Sequence, residues 1–291
     1  MKEIPNGATA LIRALEEHGV EYIFGYSGGA VIPIFDALVT SKTKIKLILV
    51  RHEQGAAHMA DGYARATGKP GVVLVTSGPG AGNVVSGLMT AHMDSVPMVV
   101  ISGQQIRAML GLDAFQEADI FNITMPVTKH NYLIKETNNI PRIVREAFHL
   151  ATTGRPGPVL IDIPKDVSSQ AFTGDFKAPI SIPAYKSHST VNSQDLKKVI
   201  SAWQKAKKPL ILAGHGVILA EASSKLFELA KLTNTPVATT LLGKGAVNET
   251  HSLSLGMVGM HGRVAGVDTA GLAPDELAAL RRERFGFIFQ R

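Results

Sequence analysis

Four short, almost unbroken apolar runs limit what this chain can fold into: KLILV (46–50), GVVLVTS (71–77), PMVVISG (97–103) and GPVLIDIP (157–164). None alternates apolar with polar, so none suits a strand with one wet face. A strand that is apolar at every position is buried on both faces, as in a parallel sheet covered by helices. The segments between the runs supply those helices. EQGAAHMADGYARATG (53–68), AGNVVSGLMTAHMD (81–94) and IPRIVREAFHLATTG (140–154) carry helical spacing, and GATALIRALEEHG (7–19) stops at a glycine suited to a C-cap. VEYIFGY (20–26) reads as a strand, GGAVIPIFDALVT (28–40) as a helix, 103–126 as loop and VTKHNYLIK (127–135) as a strand. The fold class is therefore α/β, a doubly wound parallel sheet over residues 1–165.

Residues 166–190, rich in Ser, Pro and Thr and without a helical period, read as a linker. A second α/β unit follows: helix 193–208, strand PLILAG (209–214), helix 219–234 and strand PVATTLL (236–242). This unit is incomplete at 262, where the texture changes. The tail 263–291 reads as one helix and one strand, with Arg in place of Lys. Cysteine is absent, which excludes disulfides, zinc–thiolate sites and thiol catalysis. The net charge of +6 is scattered, and its densest stretch, Lys197 to Lys208, reads as a solvated helix face. No nucleic-acid or membrane partner is expected. The N-terminus carries acids within its apolar stripe and does not read as a signal peptide, so a cytoplasmic location is expected.

Three features could carry chemistry. Glu53 stands where a strand hands over to a helix among Ala, Gly and Met. It is either a solvated acid at a helix N-terminus or a catalytic acid in a poorly hydrated pocket. TSGPGAGN (76–83) and GYSGGAVIP (25–33) are glycine turns between a strand and a helix. Gly78, Gly80 and Gly82 permit close backbone approach to an anion or a heterocycle, or simply a tight turn. The first turn lacks the Lys-Ser/Thr of a P-loop and misses the dinucleotide fingerprint by one position. All three features are expected at the carboxyl ends of neighbouring strands, where open α/β sheets bind ligands.

FGYSGGAVIPIFDAL, RHEQGAAHMADGYARATGKPGV, TSGPGAGN, AHMDSVPMVVISGQ, DAFQEADI and GRPGPVLIDIPKDV, in this order, resemble the large catalytic subunit of the acetolactate (acetohydroxyacid) synthases. These are thiamine-diphosphate enzymes of branched-chain amino-acid synthesis. The resemblance covers about 3–262. It implies a pyrimidine-binding domain at 1–165 and the start of a central, FAD-binding-type domain at 191–262. It also implies pyruvate and 2-oxobutanoate-type keto acids as substrates, a homodimer or tetramer, and a regulatory small subunit.

The same resemblance assigns residues. Glu53 matches the glutamate that hydrogen-bonds the aminopyrimidine ring of thiamine, where a shared proton favours the imino tautomer. Pro79, Gly80 and Asn83 match residues near that ring, and Tyr26, Gly28, Gly29 and Ala30 match the turn facing the reacting carbon. Phe115 and Gln116 match the acceptor-substrate region, although unaided they read as a buried Phe beside a surface Gln. Lys165 matches a lysine at the substrate-channel mouth, and Arg155 an FAD-contacting arginine. Gly214, His215 and Gly216 match a flavin-contacting turn, with Met260 and His261 in a further FAD segment. Ser27 and Gly82 depart from the family's usual proline and threonine. Beyond Gly262 the tail resembles an ABC-transporter ATPase segment ending at Gln290, and no Walker A motif accompanies it. A spliced, truncated or mis-assembled frame at 262/263 accounts for that change. The family's magnesium ligands lie in its diphosphate-binding domain, which is expected to be absent from this sequence, and the chain by itself is expected to be inactive. The alternatives are another thiamine-diphosphate decarboxylase or oxidase, or a non-catalytic fragment.

Overall fold

The computed structural model describes residues 5–186, 191–259 and 262. The chain divides into two compact units, Met1–Ser187 and His188–Arg291.

In the first unit the apolar runs form strands in the expected places. In chain order they are β1 (Tyr22–Gly25), β2 (Lys46–Leu49), β3 (Gly71–Val75), β4 (Met98–Gln104), β5 (His130–Leu133) and β6 (Pro158–Pro164). They make one sheet in the order β2-β1-β3-β4-β6-β5, parallel throughout. Every residue of β3, β4 and β6 is buried, which is why those runs are continuously apolar. Alternate residues serve opposite faces. Leu74, Ile101 and Ile161 join one core with Leu11 and Leu15 of α1 (Gly7–Glu17), Ile34 of α2 (Ile32–Thr40) and Val144 of the later helix at Ile140–Thr152. Val73, Val100 and Leu160 join the other with Ala56 and Ala60 of α3 (Glu53–Thr67) and Leu88 of the helix at Val85–Asp94.

The small-residue texture of 53–68 has a packing cause. A Cβ on Gly87 would lie 2.4 Å from the Ala57 Cβ, and one on Gly71 would lie 2.3 Å from the Ala60 carbonyl oxygen. α3 therefore approaches its neighbours with almost no side chain between backbones.

The structure departs from the sequence reading in several places. Segment 81–94 is two helices, α4 (Pro79–Gly82) and α5 (Val85–Asp94), parted at Asn83 and Val84. The loop at 103–126 contains α6 (Ile120–Thr124), which Asp119 caps by accepting from the Asn122 N–H at 3.2 Å. After α7 (Ile140–Thr152), the supposed linker 166–190 opens as α8 (Lys165–Ser169) and continues to pack on the first unit. Phe172 is buried and its N–H donates to the Pro5 carbonyl, while the Tyr185 hydroxyl donates to the Thr153 carbonyl. Scattered backbone bonds, side-chain bonds such as the Ser181 N–H to Glu146, and a few aromatics hold this segment, so no period marks it.

The second unit has a parallel sheet of β7 (Ile211–Ala213), β8 (Val237–Thr239) and β9 (Ser254–Met257), with α9 (Ser193–Lys205), α10 (His215–Leu219) and α11 (Ser223–Leu232). Its core is small: Ile211, Ala213, Leu226, Ala230, Val237, Ala246 and Val247. α9 buries none of its residues. The helix expected at 219–234 begins only at Ser223, as α11, because α10 ends at Leu219 and Glu221 between them takes a positive φ of 51°. The strand expected at 236–242 ends at Thr239, because Thr240 caps a 3-10 turn at Leu241–Gly243. The helix and strand read in 263–291 lie outside the described residues. Among the described residues no helix is long and apolar enough to cross a membrane.

Candidate active site

From β1 the chain moves to β2 on one side and then returns to β3 on the other. The reversal opens a crevice at the carboxyl ends of β1 and β3, the usual ligand position in an open α/β sheet. Both glycine turns leave from these two strands, and Glu53 opens α3 just beyond β2.

Thr76, the first residue after β3, fits between the two turns. A Cβ on Gly28 would lie 2.5 Å from its Cβ and Cγ2, and a Cβ on Gly80 would lie 2.7 Å from its Cγ2. The Ala30 N–H donates to its hydroxyl at 3.4 Å. Gly28 and Gly80 are glycines here because Thr76 fills the space that side chains would need. Sequence reading missed Thr76. Its only signal was a polar residue closing an apolar strand beside two glycine turns.

Glu53 is 8% exposed at the first turn of α3, where the helix dipole favours a carboxylate. His52 Nδ1 caps the same helix by accepting from the Gln54 N–H at 3.2 Å. Asn83, just past α4, donates from Nδ2 to Glu53 Oε2 at 2.8 Å. The other oxygen, Oε1, lies 3.2 Å from where a Gly80 Cβ would stand. Glycine at 80 thus lets the α4 backbone come directly against Thr76 and the nearly buried acid. Glu53, Gly80, Asn83 and the Tyr26–Ala30 turn come together as the sequence anticipated, with Pro79 opening α4 among them.

Phe115 and Gln116 lie on the loop after β4. Phe115 is 83% exposed, so the reading of a buried Phe is corrected. Gln116 takes a φ of 55°, and a Cβ on Gly78 would lie 2.5 Å from the Gln116 carbonyl oxygen. This loop therefore rests directly on the β3 turn. Lys165 follows β6, with β4 between its strand and β3. Arg155 precedes β6 at the opposite, amino edge of the sheet. It caps the end of α5, donating to Ser95 Oγ at 2.8 Å and to the Met93 carbonyl at 2.9 Å. Gly214, His215 and Gly216 sit in the second unit, where Gly214 precedes the first turn of α10 after β7. Met260 and His261 lie outside the described residues. Among the described residues no group of three His, Asp or Glu could hold a metal ion.

Residues 5–123 match the thiamine pyrophosphate enzyme N-terminal TPP binding domain, and 196–273 match the thiamine pyrophosphate enzyme central domain. The second match passes the junction read at 262/263, so family sequence continues into the first part of the tail. The chain is 50% identical over 279 residues to the acetolactate synthase of Mycobacterium bovis, covering 96% of this chain and 45% of the relative. It is 50% identical over 261 residues to the acetolactate synthase large subunit of Corynebacterium glutamicum (90% and 42%). The large subunit of Haemophilus influenzae is 49% identical over 264 residues (90% and 46%). The chain thus spans less than half the length of these relatives. With both of its matched domains in the same family, and about 50% identity to acetolactate synthase large subunits along most of its length, the chain belongs to the thiamine pyrophosphate enzymes.

Proposed function

We propose that the first unit is the pyrimidine-binding part of an acetolactate synthase active site. Its reaction would take two 2-keto acids, one of them pyruvate, and one proton. It would release carbon dioxide and join the remaining acyl carbon to the keto carbon of the second acid. Thiamine diphosphate, when bound, supplies the nucleophilic carbon for that chemistry.

The chain's own residues have three tasks. Glu53 Oε1 holds a proton against the pyrimidine ring nitrogen while Asn83 fixes Oε2. The Gly28 and Gly80 turns, packed on Thr76, would present backbone instead of side chains to the ring edge. The loop bearing Phe115 and Gln116 borders the place of the second keto acid, and Lys165 stands at the mouth. Magnesium, FAD held by the second unit through Gly214, His215 and Gly216, a homodimer or tetramer, a small subunit and a cytoplasmic location complete the proposal.

The observation that carries this reading is the Glu53–Asn83 pair at the strand ends, with the glycine backbone of the β3 turn packed directly against the carboxylate. The test is a hybrid in which the remaining length of the Corynebacterium glutamicum large subunit follows Gly262. It should form acetolactate from pyruvate when given thiamine diphosphate and magnesium. If it makes only acetaldehyde, the decarboxylase alternative is correct.

A further inference from the structure

The apolar strand β6 carries one acid, Asp162, which the proposed reaction does not use. Its register partner is Ser102 on β4, and the residue is 1% exposed. Ser102 Oγ donates to its Oδ1 at 2.6 Å, and Gln104 Nε2 donates to its Oδ2 at 3.0 Å. A buried carboxylate is tolerable only with both oxygens so occupied.

Gln104 has further partners. The same Nε2 donates to the Ala118 carbonyl at 2.8 Å, and Oε1 accepts from the Gln105 N–H at 2.9 Å. One amide thus ties together the entry and the exit of loop 105–119. Arg107 makes a second tie, donating from its backbone N–H and Nε to the Asp166 carboxylate at 3.1 and 2.7 Å. Glu117 closes the middle by accepting from the Ala114 N–H at 2.9 Å. The loop so held places the Gln116 backbone against Gly78.

We propose that Asp162, acting through Gln104, is a positioning residue that sets loop 105–119 on the β3 turn and thereby governs use of the second keto acid. This rests on the proposed function. Glu53 opens α3 beyond β2, and its hydrogen bond goes to Asn83 and not to a member of this network. The first half of the reaction should therefore be indifferent to it. The acid's protonation supports the picture. Burial raises its carboxyl from 3.8 to about 7, the Ser102 and Gln104 hydrogen bonds oppose the rise, and the Asp119 charge adds to it. A neutral side chain of the same shape could still accept from Gln104 while donating to Ser102.

The test uses Gln104→Leu, Asp162→Leu and the conservative Asp162→Asn. Hydrogen exchange of the 291-residue chain reads the loop directly, and the hybrid reads the two half-reactions. Both leucine variants should speed exchange over 105–119 about tenfold or more while 98–103 stays protected. In the hybrid they should raise KM for the acceptor keto acid about tenfold or more. They should leave single-turnover carbon dioxide release from the first pyruvate within about twofold. Asp162→Asn should behave as the parent in all three. Unchanged loop exchange, or equal loss in both half-reactions, would overturn the proposal. A parent hybrid that releases no carbon dioxide from pyruvate would instead remove the proposed function, and loop exchange would still decide whether Asp162 anchors the loop.

Discussion

Asn83 Nδ2 stands 2.8 Å from Glu53 Oε2, across thirty residues of sequence and between two strand ends. A hydrogen bond to a carboxylate contributes about 1.5–3 kcal/mol, enough to hold one rotamer of a side chain otherwise bordered by Ala and Gly. The bond fixes which oxygen faces Asn83 and which faces Gly80. Orientation of the acid is therefore built into the protein before any ligand arrives.

Glu53→Gln keeps that orientation, because the Gln oxygen still accepts from Asn83. It removes the oxygen that could share a titratable proton. In the hybrid, hydrogen–deuterium exchange at the thiazolium C2 of bound thiamine diphosphate should slow about 10²–10⁴-fold, with little change in cofactor affinity. An unchanged exchange rate would take Glu53 out of the proposed role.

The spacing by Thr76 predicts a specific pattern of rescue. Gly80→Ala places its Cβ 2.7 Å from Thr76 Cγ2, and should cost about 1–3 kcal/mol in urea unfolding. Thr76→Ser deletes that methyl and should recover about 0.5 kcal/mol or more of the loss. Gly28→Ala meets Thr76 Cβ and Oγ1 as well, at 2.5 and 2.6 Å, so the same serine should rescue it much less. Equal rescue of both glycines would show that Thr76 is not the spacer.

What was legible in the sequence follows from the range of the forces involved. β3, β4 and β6 show as apolar runs because each of their residues is buried, and the glycine turns show because backbone conformation is local. Glu53 could be placed at a strand end without coordinates. Its bond to Asn83 could not, since nothing local connects them. Thr76 was hidden for the same reason, its purpose being the distance between two turns. The break at Asn83 and Val84 carries no proline and lies inside a good helical pattern. Segment 166–186 misled because Phe172 and Tyr185 dock it singly, without a repeat.

Asp162 makes stability depend on pH. Its carboxyl is raised by burial from 3.8 in an unfolded chain to about 7 in the folded one. Between those values the folded state binds the extra proton, so its contribution to stability is present below about 4 and lost as pH rises through about 7. Asp162→Asn has no charge to bury. The stability difference between variant and parent should therefore shift in the variant's favour from pH 5 to pH 8, by on the order of a few kcal/mol. Urea midpoints at the two pH values measure it, and parallel profiles would refute the buried ionisation.

The glycines of 78–82 should respond to alanine in opposite directions. Gly78 sits at φ 58° and ψ −120°, a region that side chains avoid, and its Cβ would lie 2.5 Å from the Gln116 carbonyl oxygen and 2.9 Å from the carbonyl carbon. The obstacle is backbone, which cannot rotate away. Gly78→Ala should lose about 2 kcal/mol or more, since strain and collision add. Gly82 lies in α4 with nothing within 4 Å of its Cβ position, so Gly82→Ala should be neutral or stabilising by about 0.4–1 kcal/mol. The two variants also separate stability from loop placement. Gly78→Ala must push Gln116 off the turn, so the hybrid's KM for the acceptor keto acid should rise with it, whereas Gly82→Ala should leave that KM alone. If both alanines cost the same, the contact between the β3 turn and the Gln116 backbone is not what fixes glycine at 78.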